Sequence, residues 1–139
     1  MLKESLHSLE RFESEAGGTW RCLRSTDAGF AGFGEAYFSW VNPGHIKAWK
    51  RHKLAICNFV VPVGEVTFMV ETKAASGIFE SVTLGADKYS RLTVPPQHWF
   101  GFRGDFANPS LVVNVSSEIH DDDECENLPM SSFNFEMRN

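Results

Sequence analysis

Val66, Phe68 and Val70 alternate with Glu65, Thr67, Met69 and Glu71, a period of two that predicts a strand over Glu65 to Glu71. Leu54 to Val63 is apolar apart from Asn58 and reads as a strand buried on both faces. Further strands are expected over Thr19 to Arg24, Glu35 to Val41, Ile78 to Leu84, Tyr89 to Val94, His98 to Phe102 and Leu111 to Ser116. In the last of these Val112, Asn114 and Ser116 share one face. Val63-Gly64, Ala74 to Gly77, Gly85 to Lys88 and Pro95-Pro96 supply the turns. Ser25 to Phe33 reads as a glycine-punctuated loop, and His120 to Glu126 as an acidic one. Residues 1–18 form an N-terminal arm: Leu2, Leu6, Leu9 and Phe12 fit a helical stripe, yet Leu9 to Phe12 equally fits a short strand. Residues 127–139 form a polar tail. Short strands with turns every ~8–12 residues imply an all-β sandwich or barrel. No linker divides residues 1–139, so one domain is expected. A jelly roll is the natural form, because such double sheets open at one end into a ligand cavity.

One stretch departs from a plain core pattern. Gly34 to Lys53 reads as strand, turn, strand, with Asn42-Pro43-Gly44 at the turn. Period two puts Ile46, Ala48, Lys50 and His52 on one face of the second strand, and His45, Lys47, Trp49 and Arg51 on the other. Each face then carries cations beside apolar groups. Buried charge is costly unless paired. The strand therefore either lines a pocket for an anionic or polar ligand, or lies at a sheet edge with its Lys and Arg solvated.

Composition narrows the partners. The chain has 139 residues and a net charge of −5, which argues against a general nucleic-acid or anionic-membrane surface but not against a local basic pocket. The longest apolar run, Phe59 to Val70, is broken by Pro62, Gly64, Glu65 and Thr67 and is too short to span a bilayer. The first five residues lack a signal peptide's apolar region. Three well-separated cysteines, with no zinc spacing, suit reduced thiols in a cytoplasm. Twelve phenylalanines suit an all-β interior.

Four stretches carry a likeness: GEAYFSWVNPGHIKAWKRHK, VVPVGEVTFMVET, SGIFESVTLGADKYSRLTVPPQHWFGF and SLVVNVSSEIHDDDE. In this order they resemble the dTDP-4-dehydrorhamnose 3,5-epimerase family, in a short divergent branch. The resemblance implies a cupin-type jelly roll, a nucleotide-sugar ligand, a homodimer and no cofactor or metal. The family's Arg-Gly-Leu-His run falls on Lys47-Ala48-Trp49-Lys50. Lys47 keeps the charge that would hold the diphosphate, and Lys50 takes the place of the base. The family's second His is matched by Phe100, and its acid, a Tyr on the late strand, by Asn114. An Asp-x-Arg-Gly run near the N-terminus is matched by Glu15-Ala16-Gly17-Gly18, without the Arg. If the family's register holds, the pocket is built from Lys47, Lys50, His52, Asn58, Arg91, Trp99, Phe100 and Asn114.

Epimerisation beside a carbonyl needs a base, an acid on the opposite face and a group that holds the enolate charge. Lys50 could serve as base, grip an enolate or phosphate, or be a solvated lysine. His52, on the same expected face, is the nearest substitute base; its plain reading is structural. His98 could replace the absent second His and contact substrate. Tyr37, Trp49, Trp99 and Phe100 could stack on a base or sugar, or pack the core. No cupin metal pattern of His-x-His with a later Glu and His is present. The sequence therefore points to a nucleotide-sugar epimerase or isomerase of surface-polysaccharide synthesis, with Lys50 and His52 as candidate catalytic residues. The alternative is an inactive nucleotide-sugar or carbohydrate-binding protein on the same fold.

Overall fold

A computed structural model describes residues 2–135. Twelve strands run through them: β1 Leu6–Ser8, β2 Arg11–Phe12, β3 Thr19–Trp20, β4 Glu35–Val41, β5 Ile46–His52, β6 Cys57–Val63, β7 Glu65–Glu71, β8 Phe79–Gly85, β9 Ser90–Val94, β10 Phe100–Gly104, β11 Ser110–Ser116 and β12 Cys125–Asn127. One sheet has the order β1-β9-β6-β11-β4, the other β12-β5-β10-β7-β8, and β2 and β3 form a small ribbon. All the strand pairs are antiparallel, and the two large sheets pack as the expected jelly roll.

Alternation decides which residues fill the space between the sheets. From the first sheet come Val41, Cys57, Phe59, Val61, Leu92, Val94 and Val112; from the second, Val66, Phe68, Val70, Leu84, Phe100 and Phe102. Phe59, Phe68, Phe100 and Phe102 meet at ring-centroid distances of 5.1–5.3 Å. Gly64 makes the β6–β7 turn possible: its φ is +85°, and a Cβ there would collide with Ser110. A second apolar cluster lies on the outer face of the second sheet. Trp49, Met69 and Trp99 are its buried members, covered by Phe79, Phe133 and Phe135. Trp49 Nε1 donates to the Met130 carbonyl at 3.0 Å, so the end of the chain is fastened over this sheet.

Three local readings change. The N-terminal stripe is not a long helix: a 3-10 turn at Leu2–Glu4 leads into β1, which pairs with β9, and Arg11–Phe12 pairs with Thr19–Trp20. The acidic stretch contains β12, which extends the second sheet beside β5; Glu126 is directly opposite Arg51 and bridges it at 2.9 Å. Finally, β5 does not keep period two. Phe100 is opposite Lys50 and Gly101 opposite Ala48, which leaves Trp49 as an extra residue, a bulge. That inserted position reverses the parity, so Lys47 and Lys50 line the same cavity and Trp49 packs with Met69 and Trp99.

Candidate functional site

The sheets enclose a cavity of about 340 Å³ at one end of the core, within the range of small-molecule pockets. One wall comes from β4 and β11, where Tyr37 and Ser39 point inward beside Val112 and Asn114. The facing wall comes from β5 and β10, with Lys47, Lys50, Phe100 and Phe102. Phe59 of β6 lines it as well, and Asn127 and Leu128, at and just beyond the end of β12, complete the lining. The site is thus cationic on one wall, hydrogen-bonding on the other, and apolar around Phe59, Phe100, Phe102 and Val112.

Several contacts fix its polar groups. Lys47 Nζ donates to the Trp40 carbonyl at 2.7 Å, tying β5 to β4. Asn114, 1% exposed, accepts from the Asn58 backbone N–H at 3.2 Å and donates from Nδ2 to the Tyr37 hydroxyl at 2.9 Å. Burial pushes the Tyr37 phenol above its ordinary value, and the Asn114 contact offsets this only in part. Burial also pushes the Cys57 thiol up to about 12, so Cys57 is held as a neutral core side chain.

Of the residues the sequence offered, Lys47, Lys50, Phe100 and Asn114 come together in this cavity. His52 sits behind Phe100, its ring stacked on that phenyl at 6.0 Å. His52 Nδ1 donates to Glu124 Oε1 at 2.7 Å, and Nε2 is buried with no hydrogen-bond partner among the described residues. Asn58 and Arg91 are corrections. They occupy the alternate positions of β6 and β9 and face outward, beneath the loop after β3. There Arg91 Nε donates to Asn58 Oδ1 at 3.0 Å, and its other nitrogens reach the Cys22 and Ala28 carbonyls. This guanidinium pins a loop. Trp99 is also outside, stacked under the Arg51 guanidinium at 4.6 Å. His98, whose Nδ1 donates to the Pro96 carbonyl at 2.8 Å, belongs to the turn before β10. Ser39 and Phe59 were missed as lining residues, and Tyr37, offered as an aromatic that could stack or pack the core, was missed as a polar group of the cavity. The inward parity of β4, which puts Tyr37, Ser39 and Val41 on one face, was the available signal. Among the described residues no group of three or more His, Cys, Asp or Glu is placed to hold a metal ion. No helix among them is long and apolar enough to cross a membrane.

Comparison with known proteins gives relatives with this architecture. No protein-family model matches the chain. It is 38% identical to a dTDP-sugar isomerase from Desulfovibrio desulfuricans G20, with a TM-score of 0.86 and coverage of 91% of this chain and 84% of that one. A curated relative, a probable low-salt glycan biosynthesis epimerase of Haloferax volcanii, is 29% identical over 101 residues. That match covers 68% of this chain and spans 65% of the relative's length. A sugar 3,4-ketoisomerase from Thermoanaerobacterium thermosaccharolyticum, solved in complex with TDP, shares the fold: its TM-score is 0.72 at 17% identity, over 87% of this chain and 85% of its own.

Proposed function

The chain belongs to the dTDP-sugar isomerase and epimerase family, and on that premise we propose that its cavity binds a dTDP-linked keto-sugar and moves a proton beside the keto group. The observation that carries this reading is the pairing of two lysines on one cavity wall with a half-buried hydroxyl and a buried amide on the other. Lys47 and Lys50 suit a diphosphate and a developing enolate. Phe59, Phe100, Phe102 and Val112 suit the flat or apolar faces of base and sugar. Lys50, as the amine, is the group on the β5 wall that takes the C–H proton. His52 supports the wall from behind Phe100. No metal is required in this scheme, so exhaustive chelation is expected to leave binding intact.

Phe100 and Asn114 cannot replace the second His and the Tyr of the resembled 3,5-epimerases. The reaction is therefore a shift at one carbon, either a single epimerisation or a keto-isomerisation. The test is turnover of dTDP-4-keto-6-deoxyglucose in deuterated water. Deuterium is expected at one carbon, and Lys50→Ala should lower the rate by about 10²–10⁴ while TDP still binds. Deuterium at both epimerisable carbons at an enzymic rate, or an undiminished Lys50→Ala variant, would overturn the assignment. Tight binding without exchange would identify an inactive binding protein instead.

A homodimer belongs to the same proposal. β4 is the open edge of its sheet, and its outer face exposes Phe38 at 69% and Trp40 at 55%. An apolar edge strand of this kind is normally covered. Three free cysteines support a cytoplasmic setting, and the glycan-epimerase relative supports a place in surface-polysaccharide synthesis.

A further inference from the structure

The keto-sugar reading leaves one role unfilled. A proton taken from one face of a sugar carbon has to be returned from somewhere, and the family's tyrosine position is Asn114. We propose that Tyr37 is the proton donor of the cavity, delivering its hydroxyl proton from the wall opposite Lys50. The proposal rests on the reading above and names a residue in it.

The geometry comes from register. Tyr37 is directly opposite Asn114 in the β4–β11 ladder. It lies on the inward face with Ser39 and Val41, while Phe38 and Trp40 of the same strand are exposed. Asn114 Oδ1 is taken by the Asn58 N–H, so the amide presents Nδ2 to the phenol oxygen. The phenol oxygen therefore accepts from Asn114, and its own O–H is free to donate to a ligand. Burial holds the phenol above its ordinary value, which keeps that proton in place until a stronger base forms. Other donors fit less well. Ser39 carries an alcohol, a much weaker acid than a phenol. Cys57 is fully buried in the core and raised to about 12.

The step balances. The C–H bond beside the keto group breaks, its proton goes to the Lys50 amine, and the electron pair forms an enolate. The Tyr37 O–H bond then breaks and its proton bonds to carbon from the opposite wall. The phenolate, held by the Asn114 N–H, regains a proton from water, and Lys50 releases one to water. No proton is gained or lost overall.

The chain has two tyrosines, Tyr37 and Tyr89. Tyr89 lies away from the cavity, with its hydroxyl on the Arg21 carbonyl. Tyr37→Phe should reduce kcat on dTDP-4-keto-6-deoxyglucose by about 10²–10⁴, with TDP affinity within about threefold and substrate C–H exchange retained. In a Tyr89→Phe background, replacing the remaining tyrosine with the more acidic 3-fluorotyrosine should move the alkaline limb of kcat to lower pH. An unmoved limb overturns the proposal even if Tyr37→Phe is slow. Turnover by Tyr37→Phe within threefold of wild type overturns it as well and leaves the keto-sugar reading standing. A wild-type protein that neither binds TDP nor exchanges substrate hydrogen overturns both.

Discussion

Glu124 fastens the end of β5 and the residues after it to the acidic stretch with one carboxylate. Oε1 accepts from the His52 ring, and Oε2 accepts from the backbone N–H groups of Lys53 and Leu54, at 2.9 and 3.3 Å. Burial alone would push this carboxyl up; the His52 contact and the backbone N–H groups of Leu54 and Ala55 outweigh it and hold the group below its ordinary value of 4.5. A carboxyl whose pKa is depressed on folding stabilises the fold above its unfolded pKa, and that contribution is lost as pH falls through the folded value. Urea midpoints followed from pH 7 downward should therefore fall below about pH 4.5 more steeply in wild type than in Glu124→Gln. Equal slopes would remove Glu124 from the acid response. Nothing in the sequence flagged this residue. It lies in an acidic run that reads as solvated, and only the β5–β12 pairing brings it against His52. Asn58 and Arg91 differ in the opposite sense: the family's register put them in the pocket, but their strand parity turns them outward to hold a loop.

At the scale of elements, the bulge in β5 sets the chemistry of the cavity. Alternation made the strands themselves legible, and β4 and β7 have the expected bounds. It could not reveal that one inserted residue, Trp49, brings Lys47 and Lys50 to the same cavity, because a bulge is a property of the pair of strands. The partner's contribution is Gly101. A Cβ on Gly101 would sit 2.5 Å from the Ala48 Cβ and 3.2 Å from the Lys47 carbonyl oxygen, so β10 can approach the bulge closely only without a side chain there. Gly101→Ala is expected to cost about 1–3 kcal/mol, read as a lowered urea midpoint. It should also weaken TDP binding, since relief of the clash moves the strand that carries both lysines. A variant as stable as wild type would show that the strands adjust freely.

For the whole molecule, the open β4 edge and the exposed Phe38 and Trp40 predict self-association. Sedimentation at micromolar concentration should give a dimer for wild type and a monomer for the Phe38→Glu, Trp40→Glu double variant; a monomeric wild type would refute the prediction. The same strand order has a consequence for how the protein is made. Among the described residues β4 pairs only with β11, and β5 only with β10 and β12. A ribosome delivers the chain from the N-terminus, so both strands emerge long before any partner exists. Trp49 waits longer still, for the Met130 carbonyl and the two phenylalanines beyond it. A nascent chain halted before Ser110 carries a finished β4 with no strand to pair with, its aromatic side chains in water. The tyrosine-bearing wall therefore cannot close until β11 has been made, nor the lysine-bearing wall until β10 and β12 have been.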